Sequence, residues 1–142
     1  MKSTKMKHTM KKTAFATLAA VAVMFGAVVA RATTVSECQA IIAGLNTKTA
    51  AVAIAGKNAE KDRAGLTAKL NEANLKLDQA KFCDAIQKLN DFKVKVNQLA
   101  ASGRINQDAT AGTTGQELLA DADAAIACIN DLVTQSGTVC SF

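Results

Sequence analysis

Residues 82–105 read FCDAIQKLNDFKVKVNQLAASGRI, and their apolar side chains recur at steps of three and four residues. That spacing places them on one face of an α-helix. Gly103 ends the predicted helix, and Ile105 resumes an apolar anchor beyond it. We therefore predict a helix over residues 83–101 whose buried face organises the rest of the chain. The residues of this stretch that carry the face are Phe82, Ala85, Ile86, Leu89, Phe92, Val96 and Leu99.

Two helical segments precede this stretch. The first predicted helix covers residues 36–55, opens with a capping box from Ser36 to Gln39 and ends at Gly56. The second covers residues 59–80 and has a narrow apolar seam. The seam consists of Leu66, Leu70, Ala73, Leu77 and Ala80. The charged residues of this helix, which we predict to form a solvated face, include Lys61, Asp62, Arg63, Lys69, Glu72, Lys76 and Asp78.

No glycine or proline separates the second and third helices, but the apolar phase shifts near residues 81–83, so we predict a break there. The last predicted helix begins with a capping box from Thr114 to Glu117 and ends at Gly137. Four amphipathic helices joined by short turns predict an all-α, up-down-up-down four-helix bundle.

The first 32 residues have the pattern of a signal peptide: a lysine-rich start, an apolar run over residues 14–30 and an A-R-A cleavage motif at residues 30–32. We expect the mature domain to cover residues 33–142, in the periplasm or outside the cell. Cleavage two residues earlier and a retained membrane anchor are alternatives. Met10 also begins a complete signal sequence, so it is an alternative start.

The positive charge of the full chain belongs to this leader. Residues 1–32 hold six of the 17 Lys and Arg residues and none of the 12 Asp and Glu residues. The mature domain therefore has 11 basic and 12 acidic side chains and a net charge of −1. Because no excess positive field remains to hold phosphates, we do not expect nucleic acid as a partner.

The mature domain also lacks the residues of many catalytic sites. The single histidine, His8, lies in the leader, and the chain has no Trp, Tyr or Pro. This composition excludes Ser-His and Cys-His nucleophile pairs, His-ligated haem and His-containing zinc sites from the mature domain. Asp121 and Asp123 are two residues apart on a helix and point to different sides. We therefore expect no enzymatic activity, no cofactor and no metal.

The four cysteines, Cys38, Cys83, Cys128 and Cys140, all lie in the mature domain. An even number in an exported chain predicts two disulfides, and the C-x2-C pairs usual in four-cysteine zinc sites are missing. In the predicted bundle all four positions share one end. Each of the three possible pairings therefore stays open on geometry.

Part of the chain resembles a known module. Over residues 66–135 it is similar to the FIMAH domain, a small helical module of bacterial surface and secreted proteins. The register of that resemblance is carried by Leu77, Ala85, Ile86, Leu89, Phe92, Val96, Leu99, Gly103, Ile105, Leu118, Leu119 and Ala122. The segment DATAGTTG at residues 108–115 makes the loop before the last helix longer than the module has. The resemblance implies a helical fold and an exported location, and supplies no catalytic residues.

The mature chain also resembles small exported bacterial proteins of unassigned function, through SECQ at residues 36–39, GKNAEKDRAGL at residues 56–66 and ADAAIACI at residues 122–129. Those proteins carry a cysteine in the first and last of these segments, whereas Cys83 and Cys140 look like additions. The resemblance therefore implies the pairs Cys38–Cys128 and Cys83–Cys140.

The loops between the first and second helices and between the third and fourth should lie together, at the end away from the cysteines. Loops on a rigid scaffold often carry recognition, so we predict a non-enzymatic module that binds or scaffolds another envelope or extracellular component. The candidate binding residues are Lys57, Asn58, Asp62, Arg63, Arg104 and Asp108. Sugar binding by aromatic stacking lacks the necessary Trp and Tyr.

Two alternatives to the binding module stay open. One is a purely structural envelope protein acting through helix packing, which an exposed apolar stripe would support. The other is a signal-anchored membrane protein. Asn106, Asp108 and Thr110 alternate like the ligands of a calcium loop, but the closing acid of that pattern is missing, so we predict an ordinary loop. The oligomeric state is not predicted.

Overall fold

The computed structural model describes residues 32–141. The predicted signal peptide lies outside these residues except for its last position. Helix α1 spans Val35–Ala51, α2 spans Ala59–Asp78, α3 spans Phe82–Ala101 and α4 spans Gly115–Ser136. A single 3-10 turn at Ala109–Ala111 precedes α4.

The four helices form the predicted bundle. Each helix packs against the next one in the chain, and α4 packs back against α1. The predicted apolar face of α3 is buried from Ala85 to Leu99, and Phe92 at its centre is completely buried. Phe82 is half-buried against the same core. The four-helix, all-α class predicted from the periodicity is therefore confirmed.

Helix α1 differs from its prediction at both ends. Its N-cap is Thr34, whose hydroxyl accepts from the N–H of Glu37 while the Glu37 carboxylate accepts from the N–H of Thr34. The predicted cap at Ser36 is wrong because a carboxylate at the third helical position favours the earlier box. The helix ends at Ala51, and Val52 is already extended because residues 53–55 pair with another loop.

The break between α2 and α3 is made by a residue other than glycine. Ala80 has a φ of 55°, in the left-handed region. Its N–H donates to the carbonyl of Leu77, and the N–H of Lys81 donates to the carbonyl of Lys76. This is the hydrogen-bond pattern of a Schellman motif. It takes Ala80 off the predicted seam and leaves its side chain exposed.

Two disulfides close the end at which α1 and α3 begin and α4 finishes, which we call the disulfide end. The Cα atoms are 5.6 Å apart in Cys38–Cys128 and 5.4 Å apart in Cys83–Cys140. No cysteine among residues 32–141 is free. The pairing implied by the resemblance is confirmed.

Thr33, just before α1, contacts the end of α4. The hydroxyl of Thr33 donates to Asp131, 3.5 Å away, and the amide of Gln135 can both donate to and accept from the backbone of Thr33. Val35, one residue before the predicted start of the first helix, is the first residue of α1. Both ends of the described chain therefore meet at the disulfide end.

Ion pairs join three of the four neighbouring helix pairs. Lys69, Lys76 and Lys88 link α2 and α3, Lys93 pairs with Asp123 between α3 and α4, and Lys48 lies 2.6 Å from Asp121 between α1 and α4. The contact with Asp121 raises the pKa of Lys48. None of the described helices combines the length and apolar character needed to span a membrane.

Candidate functional site

Residues 52–58 and 102–114 lie together at the end away from the disulfides, which we call the loop end. The two loops meet through an antiparallel bridge between Ile54 and Ile105. The N–H of Ala55 donates to the carbonyl of Arg104 at 2.6 Å, and the N–H of Asn106 donates to the carbonyl of Ala53 at 2.9 Å. The loops are therefore one paired unit instead of two independent turns.

The chain reaches this bridge from α3 without a flexible connection. Gly103 has a φ of 63°, and the N–H groups of Gly103 and Arg104 bond back to the carbonyls of Ala100 and Leu99. This Schellman ending places Arg104 directly in the bridge and Ile105 in the core, where it is 3% exposed. The helix end thus sets the position of the second loop.

An ion-pair cluster fastens the bridge to the helices. The guanidinium of Arg104 donates to the carbonyl of Ala55 at 3.1 Å and to Asp62 on α2. The other carboxylate oxygen of Asp62 lies 2.8 Å from the ammonium of Lys95 on α3. The Asp62 carboxylate therefore links α2 to α3 through Lys95 and to the paired loops through Arg104.

Asp62 is buried, with 7% of its surface exposed. Our expectation of a solvated face is wrong at this position because Lys95 and Arg104 both reach over it. The hydrogen bond from Lys95, followed by the one from Arg104, holds the pKa of the Asp62 carboxyl below its usual range. Asp62 is therefore a charged, structurally engaged group and is not available as a free ligand.

The other candidates on the first loop and on α2 are divided between structure and surface. Arg63 donates to the carbonyl of Val52 at 2.9 Å and to Glu60 at 2.6 Å, so it supports the loop backbone. Lys57 and Asn58 are exposed, and the side chain of Asn58 does not cap α2. Only these two candidates leave their side chains available to a partner.

Asp108 and Asn106 organise the second loop. The amide nitrogen of Asn106 donates to the carbonyls of Asp108 and Thr113, and its oxygen accepts from the N–H of Asp108. The Asp108 carboxylate accepts from both the hydroxyl and the N–H of Thr110, and these bonds lower the pKa of Asp108. The alternating residues therefore bond to one another, as expected of an ordinary loop.

The outer face of the bridge is concave. A shallow hollow of about 480 Å³ is lined by residues 53–55 and 103–108.

The hydrogen bonds lie on either side of the Ile54–Ile105 pair, so the N–H and C=O of Ile54 face away from the second loop. Neither group has a hydrogen-bond partner among residues 32–141. The first loop therefore has a backbone edge that no residue within 32–141 pairs with.

None of the residues that form this edge is charged. Residues 52–56 read VAIAG, and the side chains of Ala53 and Ala55 are exposed. Proteins commonly block a free strand edge with lysine or proline, and residues 52–56 contain neither. The edge is short, but it is held rigidly by the bridge, by Arg104 and by Arg63.

A second hollow of about 440 Å³ lies between α1 and α2. It is lined by Ala43, Asn46, Thr47, Ala50, Thr67 and Asn74. No predicted site residue lies there, and none of its lining residues is charged. The part of the chain that the structure describes has no cluster of three or more metal-ligating acids, histidines or cysteines.

Comparison with known proteins gives no relative. No family model matches the chain, and neither do the curated proteins or the solved structures. The resemblance to the FIMAH domain therefore stays a prediction.

The structure brings the six predicted residues to one end, and joins Asp62 and Arg104 directly. The sequence reasoning missed Lys95 and the backbone edge at Ile54. Lys95 looks like one of several surface lysines, and only the crossing of α2 and α3 shows its partner. The alternation of Val52 and Ile54 with alanines was the available signal for an extended segment, although helical periodicity through Val52 obscured it.

Proposed function

We propose that this protein is a non-enzymatic exported module that binds an extended segment of another envelope or extracellular protein at the loop end. The observation that carries the proposal is that the N–H and C=O of Ile54 have no partner among residues 32–141 and lie on a rigid edge whose own residues, 52–56, are uncharged. An added strand would satisfy both groups, and main-chain pairing of this kind is a recurring mode of peptide recognition.

Rigidity of the loops supports this proposal. A loop that is already ordered loses little conformational entropy on binding, so more of the contact energy appears as affinity. The bridge, the Asp62 ion pairs and the Arg63 contact with Val52 all fix the first loop before any partner arrives.

Charge supports a particular kind of segment. Lys57 and Lys61 follow the edge, are exposed and have no ion-pair partner among residues 32–141. Acidic side chains beside the pairing residues of a partner would meet these lysines. The proposed ligand is therefore an extended segment with acidic flanks.

An exported location fits the two disulfides, which persist in oxidising compartments. The signal-peptide pattern of the first 32 residues favours the same location. The FIMAH resemblance adds the same compartment and a non-catalytic role, and rests on the register of apolar residues alone.

The helix-packing alternative has less support. The large exposed apolar side chains among residues 32–141 are Leu75, Val94 and Val139, and they lie on α2, on α3 and in the C-terminal tail. They do not share one helix face, so they do not form the apolar stripe that such a role would need.

A capture experiment tests the proposal. The oxidised protein is immobilised and exposed to envelope extract beside two variants, Ala55→Arg on the edge and Ala124→Arg on the outside of α4. We expect the wild type and Ala124→Arg to capture the same envelope protein. Ala55→Arg should not capture it. Binding should also slow hydrogen exchange at the Ile54 amide. Equal capture by all three chains, or no specific capture, would contradict the proposal.

A further inference from the structure

The two disulfides lie in different surroundings. Cys38 is completely buried in the core, and its partner Cys128 lies near the end of α4. Cys83 and Cys140 are both half-buried, and Cys140 lies in the tail beyond α4. Each bridge therefore includes at least one partly exposed cysteine, and the outcome of an attack by a thiol depends on the sulfur that leaves.

The bridges also differ in what they hold. Cys38–Cys128 joins α1 to α4, and these helices are packed against each other. Its sulfurs cannot separate far without disturbing that packing. Cys83–Cys140 joins α3 to a tail whose last backbone bond runs from Thr138 to Val133. Val139 is 86% exposed, so little besides the disulfide holds this part of the tail.

The leaving sulfur is stabilised in one bridge only. Attack on Cys140 releases Cys83 as a thiolate at the second residue of α3. The α3 N-cap, Lys81, makes no side-chain cap, so first-turn N–H groups and the positive end of the helix favour an anion there. Asp84 is the next residue, and its charge is partly offset by Lys76 at 3.3 Å. Low-energy thiolates at helix N-termini are good leaving groups.

Attack on the other bridge meets the reverse situation. Attack on Cys128 would release Cys38 as a thiolate inside the apolar core, where Cys38 is 0% exposed. An unpaired charge without solvent is strongly disfavoured. The two bridges therefore differ mainly in how well the released thiolate is stabilised, and less in how easily a reagent reaches them.

We infer that Cys83–Cys140 is an exchangeable disulfide, opened on the folded protein by an external dithiol, whereas Cys38–Cys128 is retained. A thiolate of the dithiol attacks the sulfur of Cys140, the Cys140–Cys83 bond breaks, and Cys83 leaves with the electron pair. The second thiolate of the reagent then attacks the mixed disulfide and releases Cys140. The protein gains two electrons and two protons, and the dithiol becomes a disulfide. Residues 138–141 are then no longer tied to α3.

This exchange site lies at the disulfide end and does not depend on the proposed ligand at the loop end. It provides a redox-controlled tether on the tail. An exported dithiol protein is the class of partner that would act on it.

Partial reduction tests the inference on the exported, fully oxidised protein. The protein is treated with dithiothreitol in native buffer, quenched at intervals with an alkylating agent and mapped by mass spectrometry, while circular dichroism follows the helices. We expect Cys83 and Cys140 to be alkylated together, with helicity retained and Cys38–Cys128 intact. Alkylation of Cys38 and Cys128 first, equal rates for both pairs, or no alkylation before unfolding would overturn the inference.

The direction of attack has its own readout. With reduced glutathione, which has one thiol, we expect the trapped mixed disulfide on Cys140 and not on Cys83. Trapping on Cys83 would overturn the proposed order of the two sulfurs.

A matched pair of charge variants tests the role of the helix end. Lys81→Glu places a negative charge beside Cys83, and Asn97→Glu places one on the exposed surface of α3 near its other end. We expect Lys81→Glu to slow opening about two- to fivefold and Asn97→Glu to leave the rate unchanged. If Lys81→Glu opens at the wild-type rate, departure of Cys83 as a stabilised thiolate is wrong.

Discussion

Gly115, the first residue of α4, lies against the bridge between the two loops. A Cβ atom at this position would lie 2.9 Å from the Cγ2 of buried Ile105 and 2.9 Å from the amide nitrogen of Gln107. The Gln107 side chain can move aside, but Ile105 is held in the core. Gly115 is therefore needed for close approach of α4 to the second loop.

A pair of glycine substitutions tests this account. Gly115→Ala should lower the free energy of unfolding by about 1–3 kcal/mol, because Ile105 or the helix must shift. Gly44 is an exposed position of α1, where an added Cβ meets nothing within 4 Å. Gly44→Ala should therefore raise the free energy of unfolding by about 0.5–1 kcal/mol. Urea unfolding of the oxidised proteins measures both. Stabilisation by Gly115→Ala would contradict the described contact.

Ala80 carries a local conformational cost at the end of α2. Its positive φ is a conformation that glycine adopts without penalty. We expect Ala80→Gly to raise the free energy of unfolding by about 0.5–1 kcal/mol. In the exposed middle of α2, Ala68→Gly should lower it by a similar amount, since glycine there only adds freedom to the unfolded chain. Thermal melts of the two variants should therefore move in opposite directions.

At the scale of a helix, α3 shows how far the sequence leads. Its apolar spacing predicted both the buried face and the terminating glycine, because these depend on local periodicity and on one backbone conformation. The end of α1 depends on pairing between Ile54 and Ile105, 51 positions apart in the chain. Local pattern contains no information about such a partner, so the prediction ran the helix to residue 55.

The same limit applies to the candidate site. The loop end was predicted because bundle connectivity alone brings the two loops together. The burial of Asp62 was not predicted, because the charged residues of α2 follow the pattern of a solvated face. Only the positions of Lys95 and Arg104 in three dimensions turn it into a buried, paired carboxylate.

A truncation on α3 tests its role as the central helix. Phe92 is completely buried, so Phe92→Ala should lower the free energy of unfolding by about 3–5 kcal/mol. On the same helix, Val94 is 56% exposed, and Val94→Ala should change it by no more than about 0.5 kcal/mol. Denaturant titration with the disulfides intact separates the two. An unchanged melt for Phe92→Ala would show that the buried face is misassigned.

For the whole molecule, acid sensitivity follows from the paired carboxylates. The pKa of Asp62 is lowered by Lys95 and Arg104, and the pKa of Glu72 is lowered by Lys88. A carboxyl with a lower pKa in the folded chain stabilises the fold fully above its unfolded pKa, which is ~3.9 for Asp. That contribution is lost as the pH falls from there through the folded pKa.

We therefore expect Asp62→Asn to lower the Tm at neutral pH, because Lys95 and Arg104 lose their partner. The Tm difference from wild type should stay constant down to pH ~5 and shrink below pH ~4, as wild-type Asp62 becomes protonated. Asp131→Asn, on the exposed side of α4, controls for the charge change. Scanning calorimetry across this range would contradict the account if the difference grew in acid.

Processing of the whole chain is tested by intact mass. The lysine-rich start, the apolar run and the A-R-A motif predict an exported protein that begins at Thr33, or at Arg31 if the earlier site is used. Thr33 and Thr34 already make the contacts that begin the fold, so cleavage before Thr33 leaves them in place. Finding only full-length protein in the membrane fraction would favour the retained anchor.

The contact of Thr33 with Asp131 and Gln135 has a practical consequence for immobilising the protein or fusing it to another domain. Because Thr33 and Cys140 both lie at the disulfide end, a tag, bead or domain fused before Thr33 or after Cys140 attaches to the bundle at that end. Residues 52–58 and 102–114 then point away from the attachment. Fusion at either end of the domain therefore leaves the loop end equally accessible to a binding partner.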